Sequence, residues 1–202
     1  MDNSDKINII TAISNSVLAV VAIFGETIKS WIYSPRIEIF LNNPCGDFTN
    51  MANEIDRFNS AYCYHLSIIN KKPKSVANNC YVQIVQIDKL TEKGRKRIDL
   101  NVPVYIRWVP NELREFTINL SHERQIDFGY LKQGGNAFTP WLQTYPNNFK
   151  GHVESETTLI FSIQVFADSY KSEIFEFSVY WNGVFDENPE QMSKNLVIKK
   201  YG

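Results

Sequence analysis

The sequence predicts a mainly β protein, an antiparallel immunoglobulin- or fibronectin-like sandwich carried behind one apolar N-terminal helix. Three observations predict it. Residues 7–25, INIITAISNSVLAVVAIFG, are uncharged between Lys6 and Glu26. After Arg36 the chain alternates apolar and polar residues in at least seven segments, the period of a half-buried strand. No helical pattern separates those segments, which argues against the crossovers that a parallel sheet needs.

The first element is the helix. Nineteen uncharged residues would rise about 28 Å, close to the hydrocarbon thickness of a bilayer. Thirteen of them are apolar, and Val17 to Phe24 is an unbroken run. Asn8, Thr11 and Asn15 fall on one helical face. Such a face suits helix–helix contact inside a membrane, or a helix lying at the interface. The remaining alternative is a packing helix of a soluble domain. A cleaved signal peptide fits less well, because Asp2 and Asp5 precede the single base Lys6 and no small-x-small cleavage site follows. Trp31 and Tyr33 stand where an interfacial aromatic belt would sit. Ser34-Pro35 then stops the helix, since Pro lacks a donor and disfavours helix in the residue before it. Residues 1–35 thus read as a single-pass anchor and 36–202 as the β domain. Lys29 and Arg36 against Lys6 put that domain on the cytoplasmic side of the cell membrane. Three cysteines, Cys45, Cys63 and Cys80, are an odd set without short spacing, as expected of free thiols.

The β elements follow in order. Residues 36–41 alternate with Ile37, Ile39 and Leu41 on one face. Residues 48–60 read as polar and irregular, with one helical turn around Met51–Phe58. Residues 61–70 put Tyr62, Tyr64, Leu66 and Ile68 inward, and 77–87 put Cys80, Val82 and Ile84 inward. Residues 91–97 form a charged hairpin tip. Residues 102–109 present Val104, Ile106 and Trp108, and 115–120 and 125–131 are shorter strands. Residues 133–156 form the longest loop, a length that is often functional. Residues 157–167 and 173–181 are the best strand pair, and 196–199 adds a short edge. With 13% aromatic residues the chain suits packed β layers. A barrel is the alternative closure.

Three stretches carry a resemblance: Ala22-Ile-Phe-Gly-Glu-Thr-Ile-Lys29, Ser34-Pro-Arg-Ile-Glu-Ile39, and Tyr64–Asn70 with Ala77–Val82. In these the chain resembles a broad group of uncharacterised prokaryotic proteins with one N-terminal transmembrane helix and a β-sandwich domain. The resemblance covers about the first 85 residues. It implies the anchor and the cytoplasmic sandwich, and brings no activity, cofactor or catalytic residue. By architecture alone it suggests an effector or accessory of bacterial defence.

The search for chemistry finds no catalytic pattern. The three histidines, His65, His122 and His152, have no partner at zinc-ligand spacing, and the cysteines form no C-x-x-C. No nucleophile elbow or phosphate-binding loop is present, and Gln133-Gly-Gly-Asn136 opens no helix. The expectation is a non-enzymatic protein with no metal and no cofactor. Two features stand out. Residues 71–97 hold eight bases and two acids, in clusters at opposite ends of a strand. Of these, Lys93, Arg95, Lys96 and Arg97 are the candidates for an anionic surface, with lipid preferred over nucleic acid. At a formal net charge of −1 the chain is not expected to bind nucleic acid. Phe138, Trp141, Tyr145 and Phe149 in the long loop are candidates for partner binding, or else rings that cover an open end of the sandwich. The expected function is a membrane-anchored module that recognises a protein, a second copy or a ligand at the cytoplasmic face. The alternative is a soluble assembly protein whose helix packs on a neighbouring subunit.

Overall fold

The computed structural model describes residues 2–52, 58–72, 75–109, 116–168 and 170–201, apart from the side chains of residues 5, 26–33, 52 and 58. Helix α1 (Asn3–Tyr33) is 31 residues long, about 46 Å at helical rise. Asp2 caps it by accepting from the Asn3 amide at 2.7 Å. Inside it the Ser16 hydroxyl donates to the Ala12 carbonyl at 2.9 Å, which satisfies a polar group without water. The window Lys6–Gly25 has mean hydropathy 2.1, and none of it is buried by the rest of the chain. The helix is long and apolar enough to cross a bilayer, a test that a signal sequence also passes. Asn8, Thr11 and Asn15 are exposed on it. The Trp31 and Tyr33 side chains lie outside the described residues.

The β domain is antiparallel throughout. Its long strands are β1 (Ile37–Leu41), β2 (Asp47–Ala52), β3 (Phe58–Asn70), β4 (Ala77–Thr91), β5 (Gly94–Ile98), β6 (Val104–Val109) and β8 (Arg124–Lys132). After these come β11 (Thr157–Ala167), β13 (Phe175–Trp181) and β14 (Leu196–Tyr201). Short strands β7 (Ile118–Leu120), β9 (Ala137–Pro140), β10 (Val153–Glu154) and β12 (Tyr170–Lys171) complete the set, with one more helix, α2 (Pro189–Asn195).

One hydrogen-bonded path runs β1-β3-β8-β6-β4-β11-β13-β14. Strand β6 bends it. Val104 to Ile106 pair with β4, and Arg107 to Val109 pair with β8. A strand that changes partner midway turns a sheet through a corner. The two ends of the path then meet, with the Lys200 Nζ 3.5 Å from the Ile39 carbonyl across the seam between β14 and β1. The result is a nearly closed, barrel-like sheet. The continuous path is nearer to the barrel alternative than to two separate stacked sheets.

The expected inward faces are the ones observed. Tyr62, Tyr64, Leu66 and Ile68 of β3 face Cys80, Val82 and Ile84 of β4 in one buried core. At its centre Phe128 of β8 meets Phe161 of β11 edge-on at 5.5 Å and Phe177 of β13 at 6.0 Å, so one ring ties opposite walls together. A bulge in β8 opposite Tyr64/His65 brings Gly129 against the loop that follows. A Cβ on Gly129 would lie 2.4 Å from Phe138 Cζ and 2.7 Å from the Thr139 carbonyl, so only glycine fits there.

Three expectations need correction. The start of the 48–60 stretch, expected to be irregular, belongs to β2, because Phe48 packs on Tyr62 at 5.1 Å and the segment pairs along β3. The helical turn expected around Met51–Phe58 falls mostly outside the described residues, and its flanks are strand. The 133–156 segment is partly strand. There β9 pairs with β8, Leu142 bridges to Ile106, and β10 returns along β9, so the segment fills the wall where β6 leaves β8. Helix α2 had no expectation. Asn188 caps it by accepting from the Glu190 amide at 2.9 Å, Pro189 opens it, and Met192 is its buried contact.

Candidate functional site

Three of the residues singled out in the sequence, Lys96, Arg97 and Phe149, meet at the end of the β domain away from α1. The chain leaves α1 for β1, whose first residue pairs with Asn70 at the close of β3. Strand β4 begins at that same end, and its 15 residues run about 45 Å to the far end at strand rise. There a two-residue turn, Glu92-Lys93, leads into β5. Gly94, at φ 107°, adopts the backbone the reversal needs, and Thr91 Oγ1 donates to its carbonyl at 2.7 Å.

A register shift in the β4–β11 ladder sets what the hairpin presents. Ile84 pairs with Ile163 and Gln86 with Ser162, so β4 carries one extra residue there. Beyond the shift Ile87 faces the core and Lys89 follows it on the same face. Leu159, Lys89 and Lys96 then lie in register across β11, β4 and β5. Two lysines directly opposite each other form one wall of a cleft of about 780 Å³.

The facing wall is the loop. Asn148, Phe149, Lys150 and His152 line it, with Glu154 at its end. Gly151 lets the loop press onto β4, since a Cβ there would lie 2.7 Å from Ile87 Cδ1. Phe149 meets His152 edge-on at 5.3 Å, and Tyr145 stacks over His152 at 6.3 Å. Burial lowers the His152 pKa, partly offset by Glu154, which favours the neutral ring. Arg97, Asp99 and Asn101 close the side toward β5. The cleft therefore carries four cations, Lys89, Lys96, Arg97 and Lys150, against two carboxylates. None of the four lies within 4.0 Å of a carboxylate among the described residues.

The candidate residues divide on this geometry. Lys96 and Arg97 line the cleft, and Lys93 stands outside it at the turn. Arg95 points to the other face, bonded bidentately to Glu176 at 2.9 Å twice and held 4.5 Å over the Tyr201 ring. That pairing raises its pKa and removes it from anion binding. Among the loop aromatics, Phe138 is fully buried and packs on Tyr64 at 6.0 Å, so it belongs to the core and not to a binding surface. Trp141 is half-buried against Tyr130 at 5.3 Å, with Arg107 at 5.7 Å. Tyr145 is exposed and donates to the Pro140 carbonyl at 2.6 Å. Phe149 alone of the four lines the cleft. Sequence reasoning missed Lys150, Asn101 and Asn148 as cleft residues. The adjacency of Lys150 to Phe149 was the available signal.

A second polar cluster lies on the outer face. His65 of β3 sits between two carboxylates, with Nδ1 3.0 Å from Asp127 Oδ1 and Nε2 3.6 Å from Asp47 Oδ2. Nδ1 makes no hydrogen bond of good geometry there, and the contact to Asp127 is an ion pair when His65 is protonated. Asp127 raises the His65 pKa against the opposing effect of burial. Cys63, two residues away, is no nucleophile, because burial pushes its thiol up to about 11. Among the described residues no cluster of three or more His, Cys, Asp or Glu is arranged to hold a metal ion. The His65 pairing predicts a pH effect. A raised folded-state pKa means its stabilisation is complete below the unfolded value of about 6.5 and is lost as pH rises through the folded value. The urea midpoint should therefore fall as pH is raised from about 6 to about 8, and His65→Gln should flatten that slope. An unchanged slope in the variant contradicts the assignment.

Comparison of the chain with protein-family models, with curated proteins and with solved structures finds no match. The resemblance noted above is therefore one of architecture, an apolar N-terminal helix ahead of a mainly β domain.

Proposed function

We propose that the chain is a non-enzymatic, membrane-anchored β module that recognises a ligand or protein partner at the cytoplasmic face. In this reading α1 holds it to the bilayer and the basic cleft does the recognising. The observation that carries it is the contrast between two surfaces. Helix α1 is apolar over most of its surface and uncovered, with Ile10, Leu18 and Ile23 more than 60% exposed. Water does not tolerate such a helix without a cover. The cleft at the far end of β4 gathers unpaired cations and an aromatic ring. That distance from α1 argues against the notion that Lys93–Arg97 touch the bilayer holding this chain.

The cytoplasmic side is supported by Lys29 and Arg36 flanking the helix, and by three free thiols. A role in bacterial defence rests on architecture only. Labelling with a membrane-impermeant maleimide tests the side. Cys45 is the accessible thiol, since Cys63 and Cys80 are buried. It should react after lysis and not in intact cells, and reaction in intact cells contradicts a cytoplasmic domain.

A second reading has one observation in its favour. The uncovered helix carries Asn8, Thr11 and Asn15 on one side, which suits packing on a second copy. If that face drives assembly, Asn15→Leu shrinks the oligomer measured by light scattering in detergent. An unchanged size sinks the self-association idea.

A further inference from the structure

Resting on the reading of the cleft as the recognition site, we propose that its ligand is a compact phosphorylated molecule with a flat ring, the chemistry of a nucleoside diphosphate. The charges come first. Lys89 and Lys96 are directly opposed across β4 and β5, an arrangement that is unfavourable unless an anion lies between them. Elsewhere cations near an acid pair with it, as Lys71 does with Glu38 at 3.2 Å and Arg95 with Glu176 at 2.9 Å. In the cleft, Lys89, Lys96, Arg97 and Lys150 have no such partner among the described residues, although Asp99 and Glu154 line the same cleft. The lysines supply point charges that suit phosphate oxygens, and Arg97 adds positive charge at the edge of the cleft.

The rest of the lining gives the ring its place. Phe149 offers a half-buried aromatic face, backed by a His152 whose neutral form burial favours. Asn101 and Asn148 supply amide donors and acceptors. A volume of about 780 Å³ suits a small molecule. A nucleic acid is a poorer fit. Behind the hairpin, Asp88 of β4 and Glu176 of β13 face away from the cleft, and the chain as a whole is at −1. A polymer that draws on several phosphate contacts would meet those acids.

The test is calorimetric titration of the full chain in non-ionic detergent with ADP, pyrophosphate and adenosine. ADP should bind one per chain, with pyrophosphate weaker and adenosine weaker still. Lys96→Gln and the double variant Lys89→Glu/Lys96→Glu should each lower ADP affinity by about tenfold or more, with unchanged circular dichroism. Phe149→Leu should weaken ADP and leave pyrophosphate as it was. Lys93→Glu, at the turn and outside the cleft, should bind like the parent. The assignment is overturned if neither ADP nor pyrophosphate binds, if Lys93→Glu costs as much as Lys96→Gln, or if a single-stranded 20-mer binds more tightly than ADP and shares its sensitivity. Anchorage is read independently by membrane extraction. A chain that stays in the membrane and binds no ADP loses the ligand assignment and keeps the anchored module.

Discussion

Phe138→Ala is expected to lower the stability of the β domain by about 3–5 kcal/mol, enough to unfold much of it. Its ring is fully buried, touches Tyr64 and Phe128, and occupies the space that Gly129 leaves open. Truncation leaves a cavity that rigid neighbouring strands cannot fill. Trp141→Ala, three residues on, should cost less, about 1–2 kcal/mol, since its ring packs on Tyr130 at the surface and is only partly buried. Urea denaturation of both variants reads the difference directly. Equal losses would mean that the 133–156 segment does not sit as described.

A charged pair in the middle of α1 has the other large expected effect. Val17→Arg with Val21→Arg should disfavour insertion by about 5–7 kcal/mol, taking about 2.5–3.5 kcal/mol for each arginine near the centre of a span. The membrane-bound fraction should collapse while the β domain keeps its circular dichroism, because neither side chain is buried against it. If α1 instead packs on neighbouring subunits in water, the same variant dissociates an oligomer and releases nothing from membranes.

Much of the fold was legible because alternation survives in most strands. Tyr62 to Ile68, Leu159 to Val165 and Phe175 to Trp181 were read correctly onto one face each, since each run keeps its period of two. The cleft was not legible, and the reason is specific. Continued alternation from Val82 and Ile84 would turn Lys89 outward. The one-residue shift opposite Ser162/Ile163 reverses the phase, and a bulge has no signature in a single strand's sequence. Arg95 and Lys96, neighbours in the chain, fall on opposite faces of β5 by plain strand alternation, which a reading of the basic residues as one cluster passes over. The sequence leaves Phe138 open between a partner-binding ring and one that covers an end of the sandwich, because it lies in a polar, glycine-rich segment. The bulge at Gly129 admits it to the core. The sequence admits a barrel as the alternative to a sandwich and cannot choose between them, because closure depends on β6 dividing its partners between β4 and β8.

The most direct test of the anchored-module account is alkaline carbonate extraction of cell membranes. It compares the full chain with one that begins at Ser34, and the N-terminus of the recovered full chain is sequenced. The account predicts that the full chain stays in the pellet with residues 7–25 intact. The shorter chain should be soluble and folded, with the same β-sheet circular dichroism. A full chain that is soluble without detergent, or that is recovered with residues 7–25 removed, contradicts the anchor.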